Sequence, residues 1–327
     1  MPSARIVGTG SYAPARVLTN QDLERMIETT DEWIRTRTGI TERRIAAEDE
    51  ATSDIAYHAA VRALAAANLD PADLDMILVA TITPDMLFPS TACVLQERLG
   101  ARRAAAMDVS AACSGFIYGL AVADGLLRLG TMRNILLIGA ETLSKITNWK
   151  DRNTCVLFGD GAGAVVLRSS EGEQGLLSTH LYADGAHGTA LMLPGGGSRH
   201  PVSQAVLDQG LATVRMGNGN EVFKLAVRAM EDACLTALKH NKVDVGDLDL
   251  VVPHQANMRI IGALAQRLGL PESKLCVNIE RYGNTSAASI PLAFDEAVRA
   301  GRVSPGGLVL LCAFGGGFTW GSALIRY

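Results

Sequence analysis

The sequence predicts an α/β fold in which buried strands alternate with helices, and three observations carry that expectation. Short, continuous apolar runs recur along the 327 residues, as strands covered on both faces require, in place of the apolar–polar alternation of a half-exposed sheet. Segments with helical spacing separate them, which is the order of βαβ units. Two glycine-rich turns then each feed a closing strand, GDGAGAVVL at 159–167 and GGGFTWGSALI at 315–325, so the two halves of the chain follow a similar order.

Taken along the chain, strands are expected at Ala4–Val7, Met76–Ala80, Ala104–Val109, Ile135–Gly139 and Ala164–Leu167, then at Leu250–Val252, Leu308–Cys312 and Ser322–Ile325. Helical stripes run through residues 51–67, with Ile55, Ala59, Leu64 and Ala67 on one side, and through 220–239, with Phe223, Val227, Met230, Cys234 and Leu238. Residues 112–129 and 285–299 are rich in alanine with leucine or isoleucine, small enough for close packing of helix on sheet. The polar stretch RSSEGEQG, at 168–175, marks the expected division into halves 1–172 and 173–327. The segment 183–220 is glycine-rich and long for a connection, which suggests function. ERRIAAEDE, at 42–50, reads as a solvated loop.

Composition narrows the function. With 48% hydrophobic and 20% charged residues the chain is not disordered. Thirty Lys and Arg against 34 Asp and Glu leave a net charge of −4, without the basic surplus that nucleic acid binding needs. The six cysteines stand no closer than 20 residues apart, so there is no C-x-x-C for zinc, iron–sulfur or redox chemistry and no dense disulfide framework. The opening MPSARIVGTG has no signal pattern, and no apolar run reaches the ~18 residues of a membrane span. A reduced, cytoplasmic protein without membrane association is expected.

Cofactor motifs are weak. GTGSYA, at 8–13, has dinucleotide-like spacing but leads into Pro14 and a polar segment, not into a helix that would hold pyrophosphate. GDGAGA and PGGGS (194–198) lack the Gly-Lys-Ser/Thr of a phosphate loop. Their glycines read as close backbone approach or tight turning. His58, His180, His187, His200 and His240 have no ligand spacing and read as structural or surface residues. No cofactor and no metal are expected.

Three segments carry chemistry. In DVSAACSG (108–115) a strand ends in small residues before a helix, placing Cys113 at a helix N-terminus. Unpaired N–H groups and the dipole there are expected to lower a thiol pKa, although a buried structural cysteine is the commoner case. In LVVPHQANMRII (250–261) a strand stops at Pro253 and leaves His254 at its carboxyl end, where open α/β sheets place their crevices. In RYGNTSAAS (281–289) Asn284 precedes a helix of small residues and reads equally as an N-cap. The loop AFGGGFTWG (313–321) adds backbone N–H groups that can form an oxyanion hole beside apolar rings.

Together DEWIRTRTGI (31–40), ACSGF (112–116), FGDGAGA (158–164), HQAN (254–257), GNTSAAS (283–289) and AFGGGFTWG closely resemble the β-ketoacyl-acyl carrier protein synthase III family, the initiating condensing enzymes of bacterial type II fatty-acid synthesis. The resemblance runs over almost the whole chain. It implies the thiolase-like five-layer αβαβα fold, usually as a homodimer. It also implies a two-stage reaction. An acyl group moves from acyl-CoA, with acetyl-CoA the expected primer, to Cys113. Malonyl-acyl carrier protein then loses CO2, and its carbanion attacks the thioester to give 3-oxoacyl-acyl carrier protein.

By the same resemblance His254 and Asn284 stabilise the enolate, Cys113 and Gly316 supply the oxyanion-hole amides, and Phe314 assists decarboxylation. Trp33 and Arg152 hold the adenine of CoA, Arg37 contacts phosphate, and Asn257 lines the pantetheine channel. Arg259 docks the acidic carrier protein, and Phe88 reaches across the dimer to bound the acyl pocket. Cys, His and Asn in this order also describe a papain-like hydrolase, but Cys113 lacks that family's surroundings. Degradative thiolases need a second catalytic cysteine in the C-terminal glycine motif, which here reads FGGGFTW. Elongating condensing enzymes carry a second histidine where this chain has Asn284. A related synthase of secondary metabolism is the nearest alternative, because the same triad serves it.

Overall fold

In the computed structural model, which describes residues 3–172 and 174–327, two mixed sheets are stacked with helices between and outside them. The first sheet orders its strands Ser3–Tyr12, Asp160–Ser170, Asn134–Thr142, Met76–Ala80 and Ala105–Val109. The second orders Gly175–Ala183, Thr319–Arg326, Leu308–Gly315 and Leu250–Pro253, and Leu275 adds one parallel bridge to Val251 where a fifth strand would lie. In both sheets the three leading strands run antiparallel to one another and the next pairing is parallel. Helices Gly115–Arg128 and Ser289–Arg299 pack between the sheets, Thr52–Ala67 covers the outside of the first, and Gly219–Asn241 covers the outside of the second. This is the α/β, five-layer αβαβα arrangement.

The glycines of GTGSYA explain the close packing. Gly8 and Gly10 lie within strand Ser3–Tyr12, and a Cβ on either would collide with the backbone of helix Thr52–Ala67 at Ala59, Ala63 or Ala67. Their role is helix-on-sheet approach, with no turn at all at the place where a dinucleotide loop would need one.

Three expectations need correction. Ala105–Val109 is an edge strand, with Ala105 and Met107 exposed, so its apolar run does not mean cover on both faces. Strand Gly175–Ala183, unanticipated, is an edge of the second sheet; it contains His180, whose ring meets His240 at 5.2 Å. Finally, ERRIAAEDE is a solvated loop only in its second half, where residues 47–49 are exposed. Glu42–Ile45 pairs with Arg16–Thr19, and alternation turns Arg43 inward, 0% exposed. Its guanidinium donates to Val156 O (2.8 Å), Asn20 Oδ1 (2.9 Å) and Leu18 O (3.2 Å). Burial pulls its pKa down to about 10.

Candidate active site

The turn that carries Cys113 is built for close approach. After strand Ala105–Val109, Ala112 takes φ +45°, a left-handed conformation, and opens a 3₁₀ turn Ala112–Ser114 that runs into helix Gly115–Arg128. Two hydroxyls lash this turn to the second sheet: Ser114 Oγ donates to Thr319 O (2.9 Å), and Thr319 Oγ1 donates to Ala111 O (2.9 Å). Gly315 completes the contact, because a Cβ there would stand 2.7 Å from Cys113 N and 3.0 Å from Ser114 N.

The expectation of a lowered thiol pKa fails. Cys113 is buried, and desolvation pushes its thiol up to about 11; the Ser286 hydroxyl acts in the opposite direction. Withdrawal from water outweighs the lowering by Ser286 and by the Cys113 backbone N–H.

His254 follows Pro253 directly, its N–H donating to Cys312 O (2.8 Å) on the neighbouring strand. Gln255 fixes the loop by donating Nε2 to Pro253 O (2.8 Å) and Cys276 O (3.2 Å) and accepting Asn278 N on Oε1 (3.0 Å). Burial pulls the His254 pKa down to about 3, so the ring is neutral at physiological pH, and its Nδ1 is buried without a hydrogen-bond partner among the described residues. A neutral imidazole keeps one N–H donor and one lone pair.

Asn284 is clamped through its backbone, its N–H donating to Leu157 O (2.8 Å) and its carbonyl accepting Gly159 N (3.0 Å). Gly283, at φ +65°, is required beside it: a Cβ would lie 2.8 Å from Leu157 O. The cap-like reading of Asn284 is met as well, since Oδ1 accepts Ser286 N (2.9 Å). That bond orients the carboxamide and leaves Nδ2 as its donor. The cap-like bond and a free Nδ2 donor are compatible in this geometry.

Two cavities meet at the cysteine. One, about 410 Å³, is lined by Cys113, His254, Asn284, Phe314, Asn257 and Arg259 and extends to Trp33 and Arg37. The other, about 400 Å³ and mainly apolar, is lined by Cys113, Ile82, Leu143, Val214, Ser286 and Gly316. Residues 188–193 and 214–220 contribute walls, so the glycine-rich segment does shape the site. Cys113 and Gly316 N–H groups donate to no loop or turn carbonyl among the described residues.

At the far end two guanidinium groups lie against the Trp33 ring, Arg152 at 4.7 Å and Arg37 at 4.8 Å from its centroid. Arg152 also donates to Glu28 O (3.1 Å). Asn257 caps helix Met258–Leu268 through Arg259 N (2.8 Å), and the exposed Arg259 lies 5.5 Å over Phe223. Phe314 is buried against Phe318 at 4.6 Å. Phe88 stands apart: 85% exposed, it lines neither cavity of its own chain.

Comparisons with known proteins show the family and the fold. A family model described as 3-oxoacyl-[acyl-carrier-protein (ACP)] synthase III matches residues 107–185, and one for the C-terminal part of that family matches 238–327. The beta-ketoacyl-[acyl-carrier-protein] synthase III of Caldanaerobacter subterraneus subsp. tengcongensis is 55% identical over 325 residues, spanning 99% of this chain and 98% of that one. The chain belongs to the β-ketoacyl-acyl carrier protein synthase III family. The Xylella fastidiosa (strain Temecula1) enzyme of that name is 56% identical over 324 residues, 99% of this chain and 98% of its own. The crystal structure of 3-oxoacyl-[acyl-carrier-protein] synthase III from Aquifex aeolicus VF5 superposes with a TM-score of 0.91 at 51% identity, covering 99% of this chain and 100% of that one.

Sequence reasoning missed several residues of this synthase III site. Gln255 and Gly315 lie inside quoted motifs, and their roles emerge only from partners distant in sequence. Glu141 is fully buried at the end of strand Asn134–Thr142. A lone carboxylate closing the apolar run NILLIGAET was the available signal.

Proposed function

We propose that this chain performs the synthase III reaction with Cys113 as nucleophile and His254 and Asn284 as donors to the enolate: acyl-CoA, acetyl-CoA by resemblance, and malonyl-acyl carrier protein give 3-oxoacyl-acyl carrier protein, CO2 and CoA. The observation that carries this reading is the position of Cys113 at the junction of two cavities, the more polar one shared with His254 and Asn284 and the other mainly apolar.

In the first stage the Cys113 sulfur attacks the acyl-CoA carbonyl, and the N–H groups of Cys113 and Gly316 receive the developing oxyanion. The acyl chain enters the apolar cavity while CoA sulfur leaves along the polar one. Trp33 suits stacking on an adenine ring once Arg152, now in contact with it, swings aside to cover the base, and Arg37 suits a phosphate; Asn257 suits the amides of pantetheine. In the second stage the malonyl thioester replaces CoA. His254, neutral, and the Nδ2 of Asn284 donate to its carbonyl oxygen as CO2 departs, so no base has to remove a proton from carbon. Phe314, apolar beside the carboxylate, favours its loss as neutral CO2. All groups needed belong to the chain, and the chemistry calls for no cofactor. Among the described residues no cluster of His, Cys, Asp and Glu offers a metal site.

Arg259, exposed at the cavity mouth, suits an acidic carrier protein. A homodimer is the partner reading supported by the exposed edge strand Ala105–Val109 and by Leu87 and Phe88, 81% and 85% exposed; Phe88 would then bound the partner subunit's acyl pocket. Residues 1–172 and 173–327 as two halves accord with one sheet drawn from each. No helix among the described residues is long and apolar enough to cross a membrane, in keeping with work in the cytoplasm.

Incubation with a panel of acyl-CoAs tests the reading. The expected result is one acyl group on Cys113, absent in Cys113→Ala; acylation elsewhere, or of Cys113→Ala equally, would overturn it.

A further inference from the structure

The chemistry above leaves one buried carboxyl beside the nucleophile unused. Glu141 Oε2 accepts Thr83 Oγ1 (2.6 Å), Thr83 N, Ile82 N and Thr81 Oγ1 (each 3.1 Å). That cage fixes the group and leaves Oε1 with a single long contact, Ile82 N at 3.3 Å. Ser286 links it to Cys113. Its backbone is held at φ +49° with its N–H on Asn284 Oδ1, and it lines the cavity into which Cys113 opens. Its Oγ is buried and makes no well-formed hydrogen bond among the described residues. Yet the hydroxyl is close enough to both neighbours to favour the ionised form of the Cys113 thiol and of the Glu141 carboxyl. Leaving a buried hydroxyl uncommitted is costly, and a left-handed serine adds strain. A site that keeps both has a use for a hydroxyl that can turn either way.

We infer that Ser286 and Glu141 form a relay that accepts the Cys113 proton during acyl loading, Ser286 in contact with the thiol and Glu141 acting through it. This deepens the acyl-transfer reading and depends on it. As sulfur forms its bond to the acyl carbon, the thiol proton passes to Ser286 Oγ while the Ser286 hydroxyl proton passes to the Glu141 carboxylate. When the bond from acyl carbon to CoA sulfur breaks, the same path returns a proton to the leaving thiolate. The electron pair of that bond leaves with CoA, and the enzyme ends as a neutral thioester.

His254 is the weaker acceptor. Burial holds its pKa near 3, whereas burial pushes Glu141 up to about 7. Glu141 therefore retains a proton better near neutrality and is still ionised often enough to take one. The aspartates on the adjoining strand and surrounding helices are engaged elsewhere, and Glu296 holds Arg281. Asp160, on the adjoining strand, accepts from Ser144 and Ala46 N. Asp54, Asp124 and Asp295, on the surrounding helices, hold Arg98, Arg128 and Arg299. Cys113 is the titratable group whose charge Glu141 reaches.

The test is single-turnover loading of Cys113, read by intact mass, from acetyl-N-acetylcysteamine thioester, which carries no phosphate to titrate. Because the relay needs ionised Glu141, wild-type loading should rise with pH through about 7 and then level off. Glu141→Gln and Ser286→Ala should each slow loading by about 10²-fold and erase that inflection. The double variant should be no slower than the slower single one. Decarboxylation of a malonyl thioester, measured with each change in a Cys113→Ala background, should stay within about twofold, which a merely structural role would not allow. Loading by Glu141→Gln at the wild-type rate with the inflection intact would overturn the relay, as would equal loss of loading and decarboxylation. If Glu141→Gln does not fold, Ser286→Ala decides alone by the same readouts. Wild-type protein that accepts no acyl group would instead remove the acyl-transfer reading itself.

Discussion

Replacing Gly315 by alanine tests whether the Cys113 amide is held as an oxyanion donor. The new Cβ would lie 2.7 Å from Cys113 N and 3.2 Å from Cys113 Cα, where an ordinary contact begins at 3.4 Å. The obstructing atoms are backbone, so no side-chain rotation relieves them, and the nucleophile turn must move by several tenths of an ångström. Overpacking of this kind costs about 1–3 kcal/mol. The catalytic cost is larger, because displacing a positioned group by the order of 1 Å lowers rates by about 10². Loading of Cys113 from acetyl-CoA, measured by quenched-flow mass spectrometry beside thermal unfolding, should therefore fall by one to two orders of magnitude with a modest drop in Tm. Loading at the wild-type rate with unchanged Tm would refute the reasoning, since the turn would then tolerate the intrusion and the amide position would not matter.

Other consequences can be checked separately. Trp33→Ala removes the ring against which Arg37 and Arg152 lie and should raise KM for acetyl-CoA about tenfold, while acetyl-pantetheine, without adenine, should be used as before. Arg259→Glu should raise the apparent KM for malonyl-carrier protein several-fold and leave loading from acetyl-CoA nearly unchanged; equal loss with both would indicate a shared channel role. His254 is neutral in the fold with its pKa near 3, so the unfolded state, with an ordinary pKa, binds the extra proton between about 6.5 and 3. Stability should fall as pH drops through that window, and His254→Ala should move the acid-unfolding midpoint, followed by circular dichroism, to lower pH.

The sequence made the buried skeleton visible because strands such as Met76–Ala80 and Leu308–Gly315 are apolar on both faces, and that signal is local. Edge strand Gly175–Ala183 escaped because only its first two residues are buried and its polar members blur the pattern. Arg43 escaped for the opposite reason: a charge run usually lies in water, and only three backbone and side-chain acceptors from distant segments make its burial tolerable. Cys113, His254 and Asn284 were legible through their motifs, each at a strand end or loop. Their electrostatics were not. The raised thiol pKa and the lowered imidazole pKa both come from burial, a property of the assembled layers that no single segment contains. The structure also changes how thiol reactivity should be read. Cys93 is the exposed cysteine, so simple alkylation would label it ahead of Cys113, and acyl loading is the more discriminating probe.

The central claim is a division of labour between Cys113, which bears the acyl group, and His254 with Asn284, which stabilise the enolate. Parallel measurement of radiolabelled acyl transfer from acetyl-CoA and of labelled CO2 release from malonyl-carrier protein tests it most directly. Asn284→Ala should still load an acyl group but lose CO2 release and condensation by about 10²–10³-fold, the usual cost of one donor aimed at developing charge. His254→Ala should behave alike, and Cys113→Ala should release CO2 without loading. A folded Asn284→Ala protein that releases CO2 and condenses at the wild-type rate would contradict the account and leave Asn284 as no more than the cap on Ser286 N.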